Sequence, residues 1–272
     1  MDLLYMIFGK KIAYHYEAIF SILSFLTKAH IENIYIYTDA PEFYNILGKR
    51  VTLCLIDEDQ LREWEGKYKF FWRVKIKIIE DCSRRNQEKP FMYLDSDTFL
   101  YKNAEFLEQS LSERKAFMHK KENLLRRCNS KTERIMWRQV RNKTFGGTTI
   151  TKNHAMWNAG VVALPKEKQQ EAIELALNIC DDMCAQQVRP RLIEQFALSV
   201  ALDATYSLLP AEDFVGHYWG NKEEWDHAIS NFFVNAHLQN NNLEEEIASL
   251  STFNFFQFPV IRKSKQNFFI KI

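Results

Sequence analysis

The chain has 272 residues, 46% hydrophobic and 26% charged, with a formal net charge of +1. Eight Gly and six Pro exclude collagen-like and low-complexity chains, and near-neutrality excludes a surface built throughout to hold nucleic acid. The length allows one large domain or two small ones, and either buries a substantial core.

In chain order, Leu3–Phe8 reads as a buried strand and Tyr16–Thr27 as an amphipathic helix. Ile34–Tyr37 is a β-branched and aromatic run that ends at the turn Thr38-Asp39-Ala40-Pro41, and Val51–Ile56 is a further strand. Trp72–Cys82 has helical character, and Phe91–Leu94 is a strand that ends on Asp95. This order is an α/β pattern with a mostly parallel central sheet and helices on both faces. Ligands bind beyond the carboxyl ends of such strands, so Gly9–Tyr16, Thr38-Asp39 and Asp95–Thr98 are expected on one edge.

Beyond residue 110 the regularity weakens. Lys115–His119 reads as a strand, Met156–Leu164 as a strand, Lys166–Ala185 and Leu192–Leu202 as helices, and Thr205–Leu209 as a strand. Trp225–Ser230 looks helical, Phe232–Val234 strand-like and Asn242–Leu250 helical, with an aromatic and basic tail from Phe253. No repeat and no linker stands out, so the expectation is one domain with an irregular C-terminal half. The stretch from Arg114 to Lys152 carries twelve Lys and Arg against two Glu, a local +10 that leaves −9 for the rest. It could hold an anionic partner or membrane surface, or be a solvated face.

The acidic second residue and the late Lys10-Lys11 pair do not suit a secretory signal, and no uncharged apolar stretch reaches about 18 residues. The five Cys are an odd number without a CxxC pair, as in a reduced cytoplasmic protein.

Three segments carry the chemistry. Asp95-Ser96-Asp97-Thr98 places two carboxylates one residue apart after an apolar strand, where hard divalent cations find oxygen ligands; its bland reading is a turn or helix cap. In Met156–Leu164, Asn158 and Gly160 sit just before a strand, where backbone can approach a ligand closely, as a simple turn also would. Gly216-His217-Tyr218-Trp219-Gly220-Asn221-Lys222 clusters a possible imidazole ligand and a phosphate-facing Lys222 in one Gly-bounded loop, although a lone His is more often structural.

The order of a first loop with Tyr14, then IYTD, DSD, WNAGVV, EQFALS and GHYWGNK resembles the GT-A-fold, nucleotide-sugar-dependent glycosyltransferases, and within them the family 8-like group. The resemblance runs from about Leu3 to Asp226 and implies a single GT-A-like, Rossmann-like domain. Its nucleotide-binding half would be 1–110, a basic insertion 111–155, and a sugar and acceptor half 156–272. It implies Mn(II) or Mg(II) held by Asp95, Asp97 and His217, with Asp95 and Ser96 beside the donor and Lys222 and Gly220 beside its diphosphate. Tyr14 and Asp39 would hold the nucleoside, Asn158 and Gly160 the donor sugar, and Glu194-Gln195 would stand near the anomeric centre. Lys75 would assist the sugar or phosphate. The implied donor is a UDP-sugar and the implied acceptor a glycan or lipid-linked glycan, for which the basic insertion suggests an anionic character. The implied location is cytoplasmic, with room for attachment at the inner face of the membrane. The first loop departs from the family by carrying Gly9-Lys10-Lys11 where small and acidic residues are usual.

Two other readings use the same residues. Asp95-Ser96-Asp97-Thr98 fits the DxDxT loop of haloacid-dehalogenase-type phosphatases, with Asp95 as nucleophile and Asp181-Asp182 as the second metal pair. A non-enzymatic polyanion binder would use the segment 114–152. Sugar-1-phosphate nucleotidyltransferases would need a Gly-rich phosphate loop after the first strand, which Gly9-Lys10-Lys11 does not supply.

Overall fold

In the computed structural model, described for residues 1–86 and 89–261, a seven-stranded sheet organises the chain. The chain runs through β1 (Asp2–Ile7), α1 (Ile12–Lys28), β2 (Ile34–Thr38), β3 (Thr52–Leu55), α2 (Glu58–Glu65), α3 (Arg73–Arg85), β4 (Phe91–Leu94), β5 (Thr98–Leu100) and α4 (Glu105–Ser112). It continues through β6 (Lys115–Leu124), α5 (Lys131–Val140), the short hairpin β7 (Thr144–Phe145) and β8 (Thr148–Thr149), then β9 (Ala155–Leu164), α6 (Gln169–Ala185) and α7 (Ile193–Thr205). Last come β10 (Ser207–Pro210), β11 (Val215–His217), α8 (Lys222–Leu238) and α9 (Leu243–Leu250).

The sheet order is β10-β6-β9-β4-β1-β2-β3. Neighbours run parallel except around β9, which is antiparallel to both β4 and β6. The sheet is buried on both faces because its strands alternate between two cores. In β4, Phe91 and Tyr93 join the core beneath α3, α6 and α7, while Met92 and Leu94 join the core beneath α1. This is the expected α/β architecture, with β1, β2 and β4 ending together at one edge.

Two expectations change. Phe232–Val234 is not a strand: α8 runs unbroken from Lys222 to Leu238. Trp225, Ile229 and Ala236 are its buried residues, spaced by four and seven, so the helical period overrides the local β-preference of Phe-Phe-Val. Asn158 and Gly160 do not precede a strand but lie within β9, all ten residues of which are buried. Among the described residues, no helix is long and apolar enough to cross a membrane. The tail beyond Ile261 lies outside the described residues.

Candidate active site

The carboxyl ends of β1, β2 and β4 bring the three expected loops together. The first loop is pinned by its backbone. Gly9 adopts φ +83°, a left-handed conformation that suits a residue without Cβ, and its N–H donates to Asp39 Oδ1 at 2.8 Å. Its carbonyl is 2.7 Å from His15 Nε2, while His15 Nδ1 meets the Tyr44 hydroxyl at 2.8 Å. Asp39 thus fixes the loop that leads into α1, and Tyr14 lies in the first turn of that helix rather than in the loop.

Asp95 and Asp97 follow β4 directly. The chain then turns into β5, which pairs antiparallel with β11 so that Thr98 stands opposite His217. His217 is therefore a strand residue rather than part of a loop, and this small ribbon delivers its imidazole to the carboxylates. One ligand atom each from Asp95, Asp97 and His217 fits within 4.8 Å of the others. Asn158 orients the ring. Its Oδ1 accepts from Gly160 N–H at 3.0 Å and lies 3.0 Å from His217 Nδ1. An amide oxygen only accepts, so Nδ1 carries a proton and donates. His217 Nε2 then faces Asp97 Oδ1 at 3.1 Å. A ring nitrogen and a carboxylate oxygen this close call for a proton or a cation between them, and the donor set of two carboxylates and one oriented imidazole suits a divalent metal. Gly160 makes room for this ring: a Cβ there would stand 2.2 Å from His217 Cε1. Close approach is thus its role, but to His217.

The electrostatics follow from burial. Burial alone would raise Asp97, yet His217 and Lys222 hold its carboxyl well below the usual carboxylate range. Lys222 Nζ sits 3.2 Å from Asp97 Oδ2 and 2.9 Å from Glu17 Oε2. Burial pushes Glu17 up to about 7, against the pull of Lys222 and Ser96. His119 packs edge-on against His217 with ring centroids 5.1 Å apart, and burial together with that neighbour lowers it to about 3, so it stays neutral.

Several expected residues have other duties. Lys75 is buried behind the site, with Nζ 3.1 Å from Asp95 and 3.0 Å from Glu194. Burial would lower its pKa, but the two carboxylates raise it instead. It therefore braces the carboxylates and is not exposed to a donor. Glu194 is buried against Lys75, whereas Gln195 lines a cavity. Gly220 pairs with Ile261 at the sheet margin rather than opening onto a cavity.

Two cavities share Asp95 and Asp97. The smaller, about 430 Å³, is lined by Phe8, Tyr14, Phe71, Trp72, Tyr93, Ser96 and Lys222 among others. The larger, about 640 Å³, is lined mostly by polar residues, with Glu122, Glu133, Asn158, Arg191 and Gln195, beside Trp219, in its wall. Phe71, Trp72, Glu17 and Glu122 were not singled out from the sequence. An aromatic pair before a helix and acids far from the DxD carry no local signal of a site.

The basic segment contributes Glu122, Asn123, Ser130, Thr132 and Glu133 to the larger cavity, and none of its twelve cations. Lys120 instead pairs with Glu212, and Arg126 donates to the Lys152 carbonyl. Asp181 and Asp182 are also spoken for. Arg73 grips Asp181 at 2.7 and 3.0 Å, and Asp182 accepts from Gly146 N–H, so they form no second metal pair beside Asp95.

No family model matches the chain, and no curated protein matches its sequence. Among solved structures it is similar to mouse xyloside xylosyltransferase 1 in its apo form. The TM-score is 0.50 at 13% identity, over 77% of this chain and 85% of that one. The likeness is one of fold: an α/β architecture on a seven-stranded, mostly parallel sheet, consistent with a GT-A-like, Rossmann-type domain.

Proposed function

We propose that the protein is a metal-dependent glycosyltransferase that moves a hexose from a nucleotide-sugar, a UDP-sugar foremost, to a glycan or lipid-linked glycan. The observation that carries this reading is the junction at Asp95 and Asp97. An aromatic cavity and a polar cavity meet at one candidate cation site, the arrangement needed to hand a group between two substrates. The fold neighbour, titled a xylosyltransferase, supports the same class.

In this reading Asp95, Asp97 and His217 hold Mn(II) or Mg(II), which supplies Lewis-acid stabilisation of a leaving diphosphate. Asn158 keeps the His217 tautomer whose Nε2 can ligate. Lys75, with Tyr93 donating to Asp95 at 2.8 Å, fixes the Asp95 carboxylate. Lys222 sets a positive charge where negative charge develops as the sugar–phosphate bond breaks. The nucleoside lies against Tyr14 and its aromatic neighbours, below the loop that Asp39 pins. Asn158 and Gln195 present amides to sugar hydroxyls, and the wall from Glu122 to Glu133 receives the acceptor. Positioning dominates such chemistry. Glu194 keeps the place near the anomeric centre that the resemblance gives it, as the brace of Lys75 rather than as an open base.

The test is donor turnover. Asp97→Ala is expected to lower Mn(II)-dependent UDP-sugar hydrolysis and transfer by roughly 10³-fold or more, the scale of losing a main electrostatic stabiliser. Full activity in that variant would remove Asp97 from the site. The phosphatase reading would instead show phosphate release from a simple phosphomonoester.

A further inference from the structure

Glu17 has no role in the account so far, yet it is the most deeply buried acid at the site. Its side chain is fully enclosed on α1, beneath the donor cavity. It accepts from Lys222 Nζ through both oxygens, at 3.1 and 2.9 Å, and from the Ser96 hydroxyl at 2.8 Å. Asp226, one turn further along α8, adds a like charge that raises the Glu17 carboxyl further. Lys222 is one-third exposed and could be solvated without a buried partner. Burying a carboxylate is unfavourable unless it is well paired, so the pairing calls for a reason.

The reason lies on the other side of the ammonium. Lys222 Nζ is also 3.2 Å from Asp97 Oδ2, a candidate metal ligand. An ammonium and a divalent cation compete for the same carboxylate oxygens. With Glu17 accepting through two oxygens at 3.1 and 2.9 Å, Lys222 is divided between α1 and Asp97. Without the Glu17 charge, Asp97 is the carboxylate that remains in contact with the ammonium.

We propose that Glu17 is a positioning residue that shares Lys222 with the candidate metal ligand Asp97, so that the ammonium does not close on Asp97 alone, and keeps its charge aimed at the diphosphate. This rests on the metal and donor reading above and adds to it a residue outside both cavity walls.

The experiment is Mn(II) titration of the full chain at pH 8, followed by electron paramagnetic resonance of free Mn(II). The samples are wild type, Glu17→Gln, Lys222→Met and the double variant. Glu17→Gln keeps the size of the side chain and its contact with Ser96. It is expected to weaken Mn(II) about tenfold, and the double variant to return within about threefold of Lys222→Met, the coupling expected of neighbouring charges. Equal affinity in wild type and Glu17→Gln overturns the proposal. So does a double variant as weak as Glu17→Gln, since a merely damaged core would not be rescued by removing Lys222. If wild type binds neither Mn(II) nor Mg(II), the metal reading itself falls, and the proposal with it.

Discussion

Lys75 illustrates how a single buried side chain can serve a site from behind. It is 3% exposed, sits 4.9 Å from the Tyr93 ring centroid, and is held by Asp95 and Glu194. Replacing it with Met would leave two carboxylates facing each other in a dry setting. The expected loss is about 3–5 kcal/mol, or roughly 10 °C in Tm for a chain of this size. Differential scanning calorimetry of Lys75→Met measures it, and an unchanged Tm would mean that the triad is not a unit. Glu17 gives a pH dependence. A carboxyl whose pKa is raised on folding contributes stability in full below its unfolded value, and that contribution is lost as pH rises through the folded value. With an ordinary value of 4.5 and a folded value of about 7, stability should fall across that window. The amount is about 3 kcal/mol. Urea unfolding at pH 5 and pH 8 should show this fall in wild type and a flatter profile in Glu17→Gln. At this scale the sequence was legible where residues are adjacent. Asp95-Ser96-Asp97 and Gly216–Lys222 declare themselves, whereas Glu17 reaches the site only through a contact 205 positions away in the chain. The misplacement of Lys75 has the same origin: its helix was legible, but not which face of it was buried.

Among the elements, β9 and the β5–β11 ribbon do the positioning. β9 runs against its neighbours, so its N-terminal half, with Asn158, meets the carboxyl end of β4. This is why a strand placed late in the chain reaches the first half's candidate metal ligands. The ribbon then brings His217 across, 120 residues from Asp97. Neither relation can be read from spacing, because strand order and direction are tertiary choices. Helix α8 shows the opposite failure. Its buried residues follow a helical period over seventeen residues, but a three-residue window at Phe232 suggests a strand. The helical assignment makes a specific contrast. Ile229, fully buried, should cost about 2–4 kcal/mol on truncation to Ala. Val234, 55% exposed, should tolerate Thr within about 0.5 kcal/mol. Chemical denaturation of the two variants checks this, and a large loss at Val234 would contradict the helix.

At the scale of the whole molecule, charge separates by region. The +10 segment lies in β6, α5 and the hairpin after it, but it offers the larger cavity carboxylates, amides, hydroxyls and the Cys128 thiol, and none of its cations. The expectation of an anionic acceptor drew on sequence counts, and the cavity wall gives it no cation from that segment. What the sequence did convey was the α/β order of the first hundred residues, because strands and helices alternate there with clear periods. The shape that turns this fold into a candidate transferase is the pair of cavities meeting at Asp95 and Asp97, and that emerges only from assembly. The central claim is that a divalent cation at Asp95, Asp97 and His217 joins a nucleotide to this fold. Thermal shift across a panel of nucleoside diphosphates, with and without Mn(II), tests it most directly, because a ligand that binds only the native state raises its stability. The expected result is stabilisation by UDP with Mn(II), little without the metal, and none in Asp97→Ala. Equal stabilisation with and without Mn(II), or no response to any nucleoside diphosphate, would contradict the account.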